Sequence, residues 1–515
     1  MKVVICGGGP VGALAALYAG LRGHEVEVYE MRGDPRCEEK TAAHQVGKSI
    51  NITMSDRGFK ALERSGDHDL VRDVVRGTIG VHSREVHHVS ATGELTTTQV
   101  RYSTEEGKDL KVVSREGLRM VLLNRLFALP NVKVFFNQKL LHTDLNAKEA
   151  VFTDSRSDPW GVQSFARVRF DLIIGADGSH SAVRHNLARF NHLNMTTRWL
   201  DTWWCEFHIP QGPDGQPKIH LDCLHVWPTK DFMFIALPNP QGTFTCNLFA
   251  PEAIFRHLKA NAAHDRAGLV HFFEAHFPGI VPRLMTPAEL TAQFAQTTPA
   301  ALQDMRVSPV SYGDACVLVG DAAHTMVPFY GQGLNTGLED VRVLFDDGYF
   351  ERLTCGSGSQ KSKRDNLGLV LSSLSSSSEP LAEYSAHRQP DVAIMNQFAL
   401  DNYHVMRNGL RPAQYPQLLR RRLEETVQTH FPGLDWCTLY SRVAFSSERF
   451  SVIKQKDDLQ RAVFHVLLAL ILIIVLATLL WVVASSDLDT VGESMRAVVG
   501  NGASATVGIL GSQSQ

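Results

Sequence analysis

MKVVICGGGPVGALAALYAGLRGHEVEVYE, residues 1–30, is the stretch of this chain that decides its fold. The pattern predicts a strand at 3–5, a helix at 13–21 and an alternating strand at 25–29. Between strand and helix, Gly7 permits a tight turn, Gly9 lets backbone approach a pyrophosphate, and Gly12 lets helix and strand pack closely. Glu30 ends the second strand, where a carboxylate can accept hydrogen bonds from ribose hydroxyls. The stretch therefore predicts a Rossmann-like, dinucleotide-binding unit.

Two later strands also end at an acidic residue. The predicted strand at 169–174 leads to Asp177-Gly178, and the one at 315–319 leads to Gly320-Asp321. A carboxylate at the carboxyl edge of a parallel sheet can accept from a ribose or ribitol hydroxyl, although Asp-Gly and Gly-Asp pairs also occur as simple turns and strand ends. A predicted helix near Gly333, Leu334 and Asn335 would present backbone N–H groups to an electron-rich ring edge. Because only one glycine fingerprint precedes a helix in this context, the pattern favours a flavoprotein that a second, transient nucleotide reduces.

Composition excludes several other classes of protein. The 515 residues carry 51 Lys and Arg against 54 Asp and Glu, a balance that disfavours a nucleic-acid binder. The eight cysteines are scattered without a C-x-x-C pair, which disfavours a disulfide scaffold or a zinc ribbon and suits a reducing compartment. His82 and His88 share one face of a predicted strand and His87 the other, so we expect no metal site among these three. No G-x-S-x-G or H-E-x-x-H motif names a hydrolase.

An apolar run near the C-terminus predicts one transmembrane helix. Residues 462–484, AVFHVLLALILIIVLATLLWVVA, contain one histidine and no formal charge, enough to span a bilayer with some tilt. Basic residues precede the run at 449, 454, 456 and 461, whereas acidic residues dominate the 485–515 tail. The positive side faces the cytosol by the usual rule, which places the bulk of the chain there.

Several longer stretches resemble the single-component, FAD-dependent aromatic hydroxylases, from residue 1 to about 450. They are GKSINITMSDRG (47–58), REVH (84–87), VSREGL (113–118), LHVWPTKDFMFIALPN (224–239), FTCNLF (244–249), GDAAHTMVPFYGQGLNTGLED (320–340) and DNYHVMR (401–407). The resemblance implies an α/β protein: an FAD-binding domain (1–75, 100–182 and 305–390) with an inserted, mainly β substrate domain (76–99 and 183–304). A helical C-terminal region (391–455) would precede the membrane helix. Lys48 stands where the family commonly has arginine, and it keeps the charge without the guanidinium fork.

The resemblance also implies roles for particular residues. Arg84 would bind the substrate's carboxylate, as suits a guanidinium, and Tyr102, Asn402 and Tyr440 would complete the grip on the amino-acid end. The apolar walls around the aromatic ring would come from Ile235, Phe249, Pro328 and Phe329. The FAD site would comprise Gly7, Gly9, Gly12, Glu30, Arg115, Asp177, Asp321, Gly333, Leu334 and Asn335. No side chain is expected to be catalytic in its own right, because the flavin carries the oxygen chemistry.

The activity that the resemblance implies is hydroxylation of L-kynurenine ortho to its aromatic amine, with bound FAD, transient NADPH and O₂. The resemblance also implies that the helix inserts in the mitochondrial outer membrane. We expect no nucleic-acid partner. One alternative keeps the chemistry and changes the substrate to another anthranilate-like or tryptophan-derived aromatic. Another is a membrane-tethered flavoprotein that does not hydroxylate, which would not need the four gripping residues.

Overall fold

The first 30 residues form the predicted strand, helix and strand. Strand β1 (Lys2–Cys6) pairs in parallel with β2 (Glu25–Tyr29), and helix α1 (Pro10–Leu21) connects them. Gly7 has φ +103°, a conformation that L side chains rarely adopt. A Cβ on Gly12 would lie 2.0 Å from the Gly7 carbonyl oxygen, so this helix can reach its strand only with glycine there. The glycine roles predicted from the spacing at 7 and 12 are thereby confirmed.

The computed structural model describes residues 1–37, 51–89, 94–103, 105, 107–156, 165–262, 266–354, 379–408 and 415–507; Lys48 lies outside them. The further strands are β3 (Asn51–Met54), β4 (Thr78–Val81), β5 (Ser83–Val89), β6 (Leu95–Arg101), β7 (Leu110–Ser114), β8 (Val132–Phe135), β9 (Gln138–Asp144), β10 (Glu149–Asp154), β11 (Phe165–Arg169), β12 (Leu172–Gly175), β13 (Asn194–Ile209), β14 (Cys223–Pro228), β15 (Met233–Pro238), β16 (Phe244–Ala250), β17 (Ala300–Ser308), β18 (Ser311–Tyr312), β19 (Cys316–Leu318) and β20 (His324–Thr325). The further helices are α2 (Asp56–Glu63), α3 (Leu70–Val75), α4 (Arg115–Phe127), α5 (Ala182–Leu187), α6 (Glu252–Ala262), α7 (Arg266–His276), α8 (Pro287–Gln296), α9 (Gly333–Asp346), α10 (Tyr349–Thr354), α11 (Pro380–Asn408), α12 (Tyr415–His430), α13 (Leu439–Ala444) and α14 (Phe450–Val507).

A six-stranded sheet carries the dinucleotide-binding unit, with the order β18-β19-β12-β1-β2-β8. Its five longer strands are parallel, and β18 runs antiparallel at one edge. Strands β1 and β12 are buried almost throughout, as expected for a parallel sheet covered by helices. The carboxyl ends of β1, β12 and β19 meet at one edge of this sheet. They bring together Gly7, Asp177 and Asp321 as predicted.

An eight-stranded sheet forms the second layer, in the order β20-β17-β13-β16-β15-β14-β5-β6. One face of the sheet packs against helices α6, α7 and α8. Its phenylalanines, such as Phe207 and Phe234, meet Phe273 of α7. The other face belongs to a second apolar cluster that includes Phe249, Phe329 and residues of α11. Strand β4 pairs instead with β7 in a small sheet, so β5 is the first strand of the chain to enter this layer. The predicted domain limits at 76 and 100 stay predictions.

The chain divides into two compact units between Ile453 and Lys454. Helix α14 crosses that division, and its part from Phe450 to Val482 is the one described helix that is long and apolar enough to cross a membrane. Only 6% of its most apolar window is buried within the protein. The predicted run at 462–484 is therefore helical, and most of its described large apolar side chains are exposed, although Phe464 is buried.

Candidate active site

A cavity of about 370 Å³ has walls from the glycine turn, the eight-stranded sheet and α11. All eight residues predicted to bind the substrate line it. So do five of the ten predicted for the cofactor, namely Gly9, Arg115, Asp321, Gly333 and Leu334. One continuous space thus joins the dinucleotide end to the predicted substrate end.

The glycine turn forms one end of this cavity. Gly9, Pro10 and Val11 line it, and a Cβ built on Gly9 would meet no atom within 4 Å, so backbone N–H groups at the start of α1 are open to a ligand. The Glu30 carboxylate accepts from the Gly8 N–H at 2.7 Å and from the Arg32 N–H at 2.9 Å. Glu30 therefore lies against the turn and holds it in place.

Asp321 and Arg115 line the same space from two different elements. Asp321 lies on a short 3₁₀ turn after β19, and its carboxylate makes no hydrogen bond within the described part of the chain. Burial raises the pKa of Asp321, and the positive charge of Arg115 opposes that rise. The helix α9 begins at Gly333 beside them, with its first N–H groups free of helical partners. The donor set suits the hydroxyls and the ring edge of a flavin nucleotide.

Asp177 and Asn335 have partners in the protein instead, and neither lines the cavity. The Asp177 carboxylate accepts from the Ser181 hydroxyl at 2.5 Å and the Ala182 N–H at 2.7 Å, at the start of α5. The Asn335 amide donates to the Thr53 carbonyl at 2.8 Å and accepts from the Ser55 N–H at 3.0 Å. Both side chains fix the elements around the cavity, and direct contact of either with a cofactor stays a prediction.

The Arg84 side chain projects from β5 into the end of the cavity that lies away from the glycine turn. Its Nε is buried without a hydrogen-bond partner, and no carboxylate of the described residues lies within ion-pair distance of its guanidinium. Burial lowers the pKa of Arg84, because the charge has left bulk water. A desolvated guanidinium without an ion-pair partner among the described residues favours an anion at this end of the cavity.

Aromatic rings surround that guanidinium. Tyr102 and Tyr440 stack with centroids 4.9 Å apart, and Tyr330 stacks on the other face of Tyr440 at 5.1 Å. Burial raises the pKa of both Tyr102 and Tyr440, so their phenols stay neutral and can donate hydrogen bonds. Tyr330 is thus a third member of this stack.

The apolar walls lie between these two ends. Phe249 and Phe329 meet edge to face with centroids 4.9 Å apart, and Ile235 and Pro328 line the same space. The Asn402 amide donates to the Phe329 carbonyl at 2.7 Å, which ties α11 to the wall. The space beside these rings suits a flat aromatic group.

Three polar residues near the site were not predicted from the sequence. Asn247 lines the cavity, and its Oδ1 is buried without a partner. Arg119 donates from Nε to the Gly8 carbonyl at 2.9 Å. Arg421 donates to the Arg101 carbonyl at 2.7 Å and so ties α12 to the end of β6. Only Asn247 could have been found: it alternates with Phe249 in FTCNLF and therefore shares its face.

His324 in the GDAAH segment faces away from this cavity. Its Nε2 lies 2.6 Å from the Asp340 carboxylate, and the pair lines a separate cavity of about 230 Å³. The side chain is almost fully buried. This placement suits a structural role for His324 rather than that of a base.

Known proteins with a similar sequence or structure also bind FAD or share this fold. The family model described as FAD binding domain matches residues 1–347. Among curated relatives, kynurenine 3-monooxygenase of Neosartorya fischeri is 39% identical over 92% of this chain and 90% of its own length. That of Chaetomium globosum is 40% identical over 89% of this chain and 94% of its own. Among solved structures, PqsL of P. aeruginosa shares the fold with a TM-score of 0.57 and 20% identity, covering 78% of this chain and 95% of its own.

Proposed function

The chain belongs to the kynurenine 3-monooxygenase family of FAD-dependent aromatic hydroxylases, and on that premise we propose how its own residues serve the hydroxylation of L-kynurenine. FAD is the bound cofactor, NADPH the co-substrate that reduces it, and the product is 3-hydroxykynurenine. The observation that carries the assignment of the substrate end is Arg84, a buried guanidinium without a partner at the far end of the cavity from the glycine turn.

For the cofactor, the N-terminus of α1 would receive the pyrophosphate, and Glu30, which lies against Gly8, the ribose. Asp321 and Arg115 would hold the ribitol and ring region, and the N–H groups of Gly333 and Leu334 the ring edge. When bound, FAD supplies the activation of O₂ and the oxygen transfer. The protein's own part is to place the substrate ring beside it and to keep water out.

At the substrate end, the α-carboxylate of kynurenine would pair with Arg84 in bidentate fashion. Tyr102 and Tyr440 line the same cavity as Arg84, and as neutral phenols they can donate hydrogen bonds to the same carboxylate. Substrate binding would give a buried cation its missing partner, which adds affinity at a position remote from the ring. Fixing this end sets which ring carbon faces the flavin.

At the ring end, Phe249, Phe329, Ile235 and Pro328 would enclose the aromatic group. The unpartnered Oδ1 of Asn247 would accept a hydrogen bond from the aromatic amine. Ile235 and Asn247 are cross-strand partners on β15 and β16, so the apolar wall and the acceptor are held on one rigid face.

The C-terminal helix would anchor the enzyme in a membrane, with the unit that carries the site in the cytosol. The exposed apolar part of α14 and the basic residues before the run at 462–484 support this placement. We propose the mitochondrial outer membrane as the membrane that receives it.

The test is NADPH oxidation by the purified, FAD-loaded protein with and without L-kynurenine, with 3-hydroxykynurenine followed by mass spectrometry. We expect stimulated oxidation with one product molecule per NADPH. Stimulated oxidation that yields hydrogen peroxide alone would mean that kynurenine binds without correct placement. Absence of stimulation in a flavin-loaded protein would overturn the substrate and move the proposal to another anthranilate-like aromatic.

A further inference from the structure

The face of β5 turned away from the cavity carries a second cluster of polar side chains. Side chains alternate along a strand. Arg84 therefore lies on the cavity face of β5, and Glu85 and His87 lie on the opposite face. Strand β14 runs parallel beside β5 with Leu224 opposite Arg84 and His225 opposite Glu85. Leu224 lines the cavity, and His225 consequently joins Glu85 and His87 on the reverse face.

The three side chains are buried and close together. Their residues expose 5%, 7% and 0% of their surface for Glu85, His87 and His225. His87 Nε2 lies 3.0 Å from His225 Nδ1, and Glu85 Oε2 lies 4.0 Å from the same nitrogen. All three ligand atoms are within 4.8 Å of one another. We propose that Glu85, His87 and His225 bind one divalent transition-metal ion, with zinc the best match.

The donor set is that of a three-ligand zinc site. Two imidazoles and one carboxylate with a water in the fourth position are a frequent zinc environment, with Zn–N bonds of about 2.0–2.1 Å. Tetrahedral bonds of that length separate two nitrogens by about 3.3 Å. The two imidazole nitrogens, 3.0 Å apart, therefore need to part by only a few tenths of an ångström.

The surroundings orient the ligands as a metal site requires. His225 Nε2 lies 2.7 Å from the His220 carbonyl oxygen, and a hydrogen bond donated there leaves Nδ1 unprotonated, with its lone pair directed at His87 Nε2 where the ion would bind. His220 Nδ1 lies 3.0 Å from the Glu85 carboxylate. The His87 ring stacks on Trp227 with centroids 4.0 Å apart. These contacts hold the three side chains together before an ion arrives, and the Glu85 oxygen, 4.0 Å from His225 Nδ1, has to move closer when the ion binds.

The position of the cluster relative to solvent also suits an ion. The His220 side chain, which contacts the Glu85 carboxylate, is 67% exposed, so this ring lies between the cluster and solvent. The ion would cross-link β5 to β14 directly behind Arg84, outside the cavity where hydroxylation takes place.

A metal-binding measurement on the FAD-loaded full-length chain in detergent tests this. The protein, free of any histidine tag, is stripped with a chelator and titrated with Zn²⁺ against a chromophoric competitor, and bound zinc is counted by plasma mass spectrometry. The variants are Glu85→Gln, which conserves shape and a neutral hydrogen bond, and His87→Gln. The control is His88→Gln, an exposed histidine on the same strand.

We expect one zinc ion per flavin in the wild type and in His88→Gln. We expect Glu85→Gln and His87→Gln to bind zinc at least about 10–100-fold more weakly, since even the loss of an outer partner costs that much. Equal affinity in wild type and Glu85→Gln would overturn the site, as would absence of zinc from the wild type at micromolar free metal. If His87→Gln fails to retain flavin, Glu85→Gln decides alone, and the readout does not depend on turnover.

Discussion

The environment of Arg84 indicates that the substrate carries a carboxylate. Replacement by alanine removes a charge-assisted pair, and loss of one partner of a buried pair costs about 3–5 kcal/mol. Because the cavity stays open to water without substrate, we expect the lower end of that range, a rise in KM for L-kynurenine on the order of 100-fold. Steady-state kinetics measure KM, and visible absorbance shows that FAD is retained.

The same variant separates binding from folding. Arg84 has no carboxylate partner of its own, so its removal relieves a desolvated cation, and we expect Arg84→Ala to melt no lower than wild type. Arg101→Ala, an exposed arginine on the neighbouring strand, is the matched control and should leave KM unchanged. A normal KM in Arg84→Ala would remove this residue from the site. A substrate analogue without the carboxylate should be insensitive to the change.

Asn247 tests the other end of the substrate. Asn247→Leu keeps the branched shape and removes an unpartnered acceptor beside an open cavity, so the fold should be as stable or more stable. Loss of one neutral hydrogen bond of about 0.5–1.5 kcal/mol predicts a 2- to 10-fold rise in KM for kynurenine. An analogue without the aromatic amine should show no such rise. If both compounds respond equally, Asn247 acts through packing and not through the amine.

At the scale of elements, a buried ion network joins the GDAAH segment to the helices around it. On α9, Glu339 forms ion pairs with Arg57 of α2 and Arg388 of α11. The adjacent Asp340 accepts from Arg388 at 2.9 Å and from the Gly320 N–H at 2.9 Å, and it lies 2.6 Å from His324. The network thus holds the turn that carries Asp321 in register with two helices.

This network makes stability depend on pH in the acid range. Burial alone would raise the pKa of Asp340, but His324 and Arg388 outweigh it and lower the pKa to about 2. The pKa is therefore lower in the folded state, and the stabilisation is complete above about pH 4 and lost as pH falls through 2. The lowered pKa of Asp340 corresponds to about 2 kcal/mol of stabilisation, roughly half of which is lost by pH 3.

Urea unfolding at pH 5 and pH 3 measures this loss. In Asp340→Asn the part of the pH dependence due to this carboxyl should disappear, and at pH 7 the variant should be about 3–5 kcal/mol less stable, because Arg388 loses a buried partner. Arg352→Ala breaks an exposed pair with Glu383 between α10 and α11, and it should cost less than about 1 kcal/mol. Similar losses in the two variants would contradict a special role for the buried network.

Local elements were predictable and long-range partners were not. The β1–α1–β2 unit follows from glycine spacing and alternation within 30 residues, and the structure confirms it. Asp177 was correctly placed at a sheet edge, yet its contacts with α5 depend on where that helix begins. His87 was correctly set apart from His82 and His88, but nothing within its own strand shows that His225, 138 residues later, becomes its neighbour.

At the scale of the whole molecule, the cavity exists because distant segments join one sheet. Strands β5 and β6 enter the eight-stranded layer beside β14, and no periodicity in the sequence fixes that pairing. The family resemblance was what indicated which of these distant residues belong together. All eight residues that it assigned to the substrate line the cavity. Residues that act through side-chain geometry, such as Arg119 and Arg421, had no motif and were found only in the structure.

The division of the chain between Ile453 and Lys454 separates the site from the anchor, which gives a prediction for the whole protein. Every residue proposed for cofactor or substrate lies between Gly7 and Tyr440, so a chain that ends at Arg461 should keep FAD and kynurenine-dependent NADPH oxidation. Without the apolar run at 462–484, it should move from the carbonate-washed membrane pellet to the soluble fraction.

A full-length variant with Leu472→Arg and Ile474→Arg is the matched control, because it changes the anchor without shortening the chain. Two arginines near the centre of a span cost about 2.5–3.5 kcal/mol each on the insertion scale. They should therefore release the protein as truncation does, since both side chains are exposed and need not support the fold. If both variants stay with the membrane, the catalytic unit itself binds lipid. If both are soluble but inactive, α14 supports the site beyond tethering it.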